Sequence, residues 1–342
     1  MIDNIPLSNI ATGGSLPILE WVWLNALKEQ MVLTAGNGQV FVRRRMPGKF
    51  ETALDVCVPI KGIREWAGRL EGPFKFSLID DEKLRVSAGR NRVVLPTKSS
   101  EDYPYIPLDG EELFQCPLEE FQRASKRVRF AAATSKAGRP VLEHVFISDG
   151  QMVAVDGVRL AMDTFPYEGD PHSLLVSTEA LKAVEGMTGD TLTVKKVGNH
   201  IIFSTPTEDI LCVPLNETYI DYKRVIPTKF VSEVVIDSKK LATAVGQSLL
   251  FTENYLHLVI TDDGSILVWA VGAETGDCRS EQDANVDGVA LDIFIDGNFV
   301  RQGLDKVTGE ITLKAEGKEG RLMLSQGSWT YIVMTAREAG KE

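Results

Sequence analysis

The chain has 342 residues, 44% of them apolar and 25% charged, with a formal net charge of −11. That length predicts two or three domains with real cores, and no apolar run reaches the roughly 18 residues a membrane-spanning helix needs. The acidic balance excludes a protein that coats nucleic acid over its whole surface, but not one that gathers its cations on one face.

The opening stretch, MIDNIPLSNIATGGSLP, has no basic segment followed by an apolar one, so no secretory signal is expected. From Leu16, LPILEWVWLNALKEQMVLTAGNGQVFVRR predicts strands around a turn at Gly38-Gln39. From Ala53, ALDVCVPIKGIREWAGRLEGPFKFSLIDDEKLRVS predicts an apolar strand, a helix opened by Pro59, a glycine-bearing turn and two alternating strands. FQCPLEEFQRASKRVRF reads as a strand and a helix, and RPVLEHVFISDGQMVAVDGVRLAM as strands about Gly150-Gln151. The pattern of Ala53 returns from His172, with Ser177 at the helix start. VVIDSKKLATAVGQSL then predicts another strand and helix, followed by strands about Gly264-Ser265. The pattern returns a third time from Ala290, opened by Asp296.

The copies are evenly spaced. Pro59 and Ser177 lie 118 residues apart, and Ser177 and Asp296 lie 119 apart. Seventeen residues after each helix start come Phe76, Val194 and Leu313, each inside an alternating strand. The reading is an α+β fold of three similar modules, residues 1–108, 109–228 and 229–342. The first module lacks most of the opening strand and helix of the other two. Taken alone, the period is equally compatible with an open tandem array for modular binding.

Charge is distributed against the global sign. The predicted helices 60–70, 118–130 and 238–247 each carry +2 and 297–307 carries +1, whereas 178–187 carries −1. Ordinary solvated helix faces explain any one of them. Four basic helices of five in an acidic chain point instead to phosphate contacts that do not read sequence.

YIDYKRVIP, residues 219–227, places two tyrosines, two adjacent cations, aliphatics and a proline at one junction. It resembles the F-P-D-Y-R-R-V-L/I-P stretch of the bacterial DNA polymerase III β subunit family, the sliding clamps. VAVDGVRLAMDTFP resembles that family's V-A-T-D-G-H-R-L-A segment, and AGRNRVVLPTKSSEDYPYIP the end of its first domain. YIVMTAR is similar to its Y-V-V-M-P-M-R terminus. The four matches stand in the expected order across nearly the whole chain.

The resemblance implies a DNA-clamp fold of three tandem modules, closed as a head-to-tail homodimeric ring with short helices inside and sheets outside. The ring would encircle double-stranded DNA without regard to sequence and tether a DNA polymerase, with no catalytic residue, cofactor or metal. Further partners would be a clamp loader and repair or replication proteins with clamp-binding motifs, all in the cytoplasm at DNA. A peptide-binding pocket is implied at Leu142, Val155, Gly157, Val158, Arg159 and Leu160, together with Ile220, Arg224, Val225, Ile332 and Met334, the two arginines at its rim. Leu142, Leu160 and Val225 can equally be core at a domain junction. The cations expected to face DNA are Lys61, Arg64, Arg123, Lys126, Arg127, Lys239, Lys240 and Arg301. The implied dimer interface sets Arg90, Arg92, Val93 and Leu95 against Leu249 and Leu250, although plain surface cations explain Arg90 and Arg92 as well. The chain departs from the family at Val155, Val158, Ile220 and Met334-Thr335-Ala336-Arg337, which makes the pocket more apolar. A clamp-like protein that binds partner peptides without closing a ring is the alternative.

An enzyme has little support in the sequence. His144, His172, His200 and His257 are scattered without metal-ligand spacing, and AGNGQV lacks the third glycine of a dinucleotide fingerprint. Asp262-Asp263-Gly264 reads as a turn. Cys57, Cys116, Cys212 and Cys278 form no C-x-x-C pair, and three of them sit in apolar alternation as small core residues of a reduced protein.

Overall fold

The structure, a computed structural model, describes residues 13–70, 72–104, 110–134, 138–272 and 276–338. The opening strand and helix that the repeat would set before residue 13 fall outside them. In chain order come β1 (Trp21–Leu27), β2 (Gln30–Gly36), β3 (Val40–Pro47), β4 (Leu54–Pro59), α1 (Ile60–Ala67), β5 (Phe74–Asp80), β6 (Lys83–Ala88) and β7 (Asn91–Pro96). Next are β8 (Glu111–Pro117), α2 (Leu118–Val128), β9 (His144–Ser148), β10 (Gln151–Val155), β11 (Arg159–Thr164), β12 (Glu168–Gly169) and β13 (Ser173–Ser177). These are followed by α3 (Thr178–Val184), β14 (Thr191–Val197), β15 (His200–Ser204), β16 (Glu208–Cys212), β17 (Ser232–Asp237), α4 (Ser238–Ser248) and β18 (Tyr255–Ile260). The last are β19 (Ser265–Gly272), β20 (Gly276–Asp283), β21 (Asn285–Gly288), β22 (Leu291–Asp296), α5 (Gly297–Leu304), β23 (Glu310–Ala315), β24 (Arg321–Gln326) and β25 (Trp329–Met334).

The helix starts follow from local chemistry. The Asp237 and Asp296 carboxylates accept from the first free amides of α4 and α5, and Pro59 stands at the N-cap of α1 with φ −60°. The predicted turns are present, with Gly38, Gly150 and Gly264 at positive φ. Their equivalence is corrected, however. Gly150 and Gly264 join the first and second strands of their hairpins, whereas Gly38 joins β2 to β3 and so corresponds to Gly157.

The chain divides into two compact units. The first (1–122, 166–171, 179–214) holds a nine-stranded sheet ordered β12-β8-β14-β15-β16-β3-β2-β1-β4 and a three-stranded sheet β5-β6-β7. The second (123–165, 172–178, 215–342) holds a nine-stranded sheet β13-β9-β10-β11-β25-β24-β23-β17-β21 and a four-stranded sheet β20-β19-β18-β22. All pairings among the described residues are antiparallel. One order recurs: third, second, first, fourth strand, in β3-β2-β1-β4, β11-β10-β9-β13 and β20-β19-β18-β22.

Alternation fills the cores, as in β1, where Val22, Leu24 and Ala26 are fully buried. In β16 all five residues are buried, including two acids. Each has its cation on β3: Arg44 Nε lies 3.0 Å from Glu208, and Arg45 pairs with Asp209, which also accepts from Ser204 Oγ at 2.7 Å. Burial pushes the Glu208 carboxyl upward and Arg44 pulls it back. Cys57, Cys116 and Cys212 are buried free thiols, raised to about 12 chiefly by loss of water. No helix among the described residues is long and apolar enough to cross a membrane.

Candidate functional site

The YIDYKRVIP stretch closes an apolar cluster that lies entirely in the second unit. Its floor comes from one face of four paired strands. Val153 stands beside Phe146 and Met162, Val155 beside Leu160, and Leu160 beside Ile332. A helical turn, Pro140–Glu143, adds Leu142, whose carbonyl accepts from Ala133 N at 2.8 Å. Leu142, Val153, Val155, Leu160, Tyr222 and Ile332 are buried, while Val141, Phe146, Met162, Tyr219, Ile220, Val225, Ile226 and Met323 pack on them half-buried.

Polar contacts hold the closing segment. Tyr222 donates to Gln151 Oε1 at 2.6 Å, and the Tyr219 ring stacks on Phe146 at 5.2 Å with 4° between planes. Arg321 donates to the Val225 carbonyl at 2.7 Å and forks onto Glu316 at 2.6 and 2.7 Å. Burial raises the Tyr219 and Tyr222 phenols above their ordinary range. At one margin Gly157 takes φ +99° in a turn whose Asp156 carboxylate accepts from the Val158 and Arg159 amides. There Val158 is 44% and Met334 42% exposed, joined by Met334 N donating to the Val158 carbonyl at 2.9 Å.

Ten of the eleven expected pocket residues thus lie in this cluster or along its margin, with Arg224 exposed and paired with Asp221 at 2.8 Å. Arg159 does not belong there. Its guanidinium lies on the other face of β11, donating to Asp156 (2.8 Å), Gln302 and the Phe130 carbonyl (3.1 Å) and stacking over Phe299 at 4.4 Å. The period of two already separates Arg159 from Leu160. The same period points to Val153 and Met162, which were missed, and the two tyrosines stood in the stretch itself.

The expected DNA-facing cations separate into two kinds. Lys61, Lys126, Lys239 and Lys240 are exposed, and Arg64 is half-buried. Arg123 and Arg127 instead serve a buried carboxylate: Asp163, fully buried, has Arg123 at 2.5 Å and Arg127 at 3.8 Å and accepts from Ser328 Oγ at 2.6 Å. A buried charge without partners would be costly, so these two cations are not spare. Arg301 is committed in part, to Asp305 at 3.0 Å and the Ala242 carbonyl at 3.3 Å.

Among the interface candidates, Arg90 and Arg92 are exposed, and Leu250 is 76% exposed. Val93 and Leu249 are half-buried. Leu95 is corrected: it is 6% exposed and turns into the core, while its neighbour Val94 faces out. Among the described residues β7 pairs only with β6 and β20 only with β19, so each is a sheet edge.

No family model matches the chain. A beta sliding clamp homolog, GriR, of Streptomyces muensis is 26% identical over 309 residues, 86% of this chain and 82% of that one. The chain is similar along most of its length to the beta sliding clamps. The beta sliding clamp of Staphylococcus aureus (strain Mu50) is 21% identical over 330 residues, 90% of this chain and 87% of that one. Among solved structures, the DNA polymerase III β subunit of Thermotoga maritima superposes with a TM-score of 0.88 at 21% identity, over 99% of both chains. A Pseudomonas aeruginosa sliding clamp bound to griselimycin gives 0.87 at 20% identity, over 97% of this chain and 96% of that one. The sliding clamp fold accounts for the repeated strand order.

Proposed function

We propose that the chain is a DNA sliding clamp, a processivity factor whose three modules, 1–108, 109–228 and 229–342, close with those of a second copy into a ring around duplex DNA. Strand pairing carries the reading. In the first unit β3, the third strand of its motif, pairs with β16, and in the second unit β11, the third strand of its motif, pairs with β25. The third strand left over is β20, and the last strand left over is β7. Pairing β20 of one copy with β7 of the next satisfies both edges and is head to tail. Charge favours it: β20 carries Asp277, Glu281 and Asp283, and Arg90 and Arg92 lie at the start of β7.

Lys61, Lys126, Lys239 and Lys240 are the residues offered to phosphates, and the cluster around Leu160 and Ile332 is the groove for partner peptides. Partners would be a DNA polymerase, a clamp loader and repair or replication proteins, met at DNA in the cytoplasm. No bond is made or broken, and the function is topological. Light scattering tests closure: the mass expected is twice 37.7 kDa, falling to the monomer in Arg90→Glu/Arg92→Glu. A wild-type monomer would favour the clamp-like protein that does not close. Retention on circular DNA, with loss after linearisation, tests encirclement.

A further inference from the structure

One arginine links two walls of the groove at Leu160. Arg321 opens β24 directly opposite Met334 on β25. Its Nε and Nη2 fork onto the two carboxylate oxygens of Glu316 at 2.6 and 2.7 Å, and its Nη1 donates to the Val225 carbonyl at 2.7 Å. Val225 is the last residue of the helical turn Tyr222–Val225, where a carbonyl has no partner along its own turn. The hairpin that carries the arginine is itself tied down. Glu316 N donates to the Arg321 carbonyl at 3.2 Å, Gly320 N to Thr335 Oγ1 at 2.8 Å and Thr335 N to the Gly320 carbonyl at 3.0 Å. Tyr219 and Tyr222 hold one end of the closing segment against Phe146 and Gln151. Arg321 holds the other end, where Val225 and Ile226 pack half-buried on the cluster.

The strand plan does not demand this link. By register, His200 stands in the first unit where Arg321 stands in the second, and Val197 where Glu316 stands. Val197 packs on the first cluster as an apolar side chain. The fork is therefore a feature of the second cluster and not of the repeated fold. We propose that Arg321 is a positioning residue of the groove, fixing the distance between the closing segment and Met334 before a peptide arrives. The proposal rests on the reading of this cluster as the groove for partner peptides. The planar guanidinium serves a carboxylate and a carbonyl at once, which the point charge of a lysine does not. Without the link, a peptide has to order the segment as it binds. The loss then falls on the off-rate, where most affinity differences within one interface lie. Both side chains of the fork are half-buried, so solvent screens the pair and its share in global stability is small.

Fluorescence anisotropy and stopped-flow dissociation of the labelled peptide QLSLF, with hydrogen exchange on the full chain, test the role. In Arg321→Lys the amides of Tyr222, Arg224 and Ile226 should exchange at least tenfold faster in the free protein, while β23 and β24 keep wild-type rates. The peptide should bind at least tenfold more weakly, with most of the change in the off-rate. Glu316→Gln loosens the fork but leaves the donor to Val225, and should weaken binding two- to fivefold. Wild-type affinity in Arg321→Lys would overturn the proposal and leave the groove reading standing. So would faster exchange spread through β23 and β24, the mark of a merely structural arginine, or wild-type affinity in Glu316→Gln. Failure of the wild-type chain to bind the peptide would overturn the groove reading and this proposal with it.

Discussion

Two apolar clusters, around Phe41 in the first unit and around Leu160 in the second, are built on the same plan. Phe41 stands opposite Leu211 as Leu160 stands opposite Ile332. Each takes a leucine from a proline-led turn, Leu19 of PILE and Leu142 of PVLE, and each is closed by a tyrosine after an aspartate, Tyr103 or Tyr222. Their walls differ. The first is walled by Trp21 and Trp23, with the Trp23 indole donating to Asp55 at 2.6 Å and Lys98 resting over Trp21 at 4.4 Å. The second has His144 and Phe146 at the same places and adds half-buried Met162, Met323, Ile220, Val225 and Ile226. Large, polar-anchored rings lock a junction, whereas aliphatic and thioether side chains that can repack make a surface able to receive another chain. One backbone plan thus supplies a closed joint and a candidate groove, and side-chain shape decides between them.

The strand pairings beneath the clusters provide the harshest test. Glu208→Ala removes the carboxylate that faces buried Arg44 and should cost about 3–5 kcal/mol in urea unfolding. The second cluster rests on Leu160 against Ile332, and there Leu160→Ala should cost about 2–5 kcal/mol and also abolish binding of a labelled Q-L-x-L-F peptide in fluorescence anisotropy. A Glu208 variant folded at low urea that also lost peptide binding would break the distinction.

The margins discriminate more finely. Met334→Ala should weaken that peptide at least tenfold while changing stability by about 1 kcal/mol or less, because the side chain is half exposed. Val213→Ala, at the equivalent strand end of the first cluster, should leave peptide binding unchanged. Equal loss in the two would make the clusters functionally alike.

Cys57, in the first cluster and opposite Trp23, corresponds by strand register to Leu175 opposite Phe146 in the second unit. Its thiol is raised to about 12, by burial first and then by Asp55 and Asp102. The unfolded thiol ionises near 9, before the folded one. This contribution to stability is therefore present below that value and fades as pH rises from about 9 toward about 12. Ellman's reagent at pH 8 should modify half-buried Cys278 first and reach Cys57, Cys116 and Cys212 only in denaturant. The smallest effect belongs to Arg224→Ala, an exposed pair with Asp221, expected to change stability by about 0–1 kcal/mol and peptide affinity no more than threefold.

The alternation of VAVDGVRLAM, the glycine turns and the caps at Pro59 and Asp296 are local features, and the strand and helix order followed from them. So did most of the groove, since Val155, Leu160 and Ile332 announce a shared face by their spacing. The side chain of Arg159, next to Leu160 and so of opposite parity, turns to the other face of β11. The arginines of α2 were not readable at all: nothing near residues 123–127 announces that Asp163 lies buried beside them, 40 residues downstream of Arg123.

By itself, then, the sequence determined the elements, their threefold order and which side chains share a face, because backbone propensity and the periods of strand and helix act over a few residues. Only the tertiary structure decided which strands end as edges, which cations are taken up by buried carboxylates and which junction is filled by indole rings. Those outcomes depend on contacts between residues tens to hundreds of positions apart, where burial makes a charge demand a partner and close packing lets one side chain exclude another.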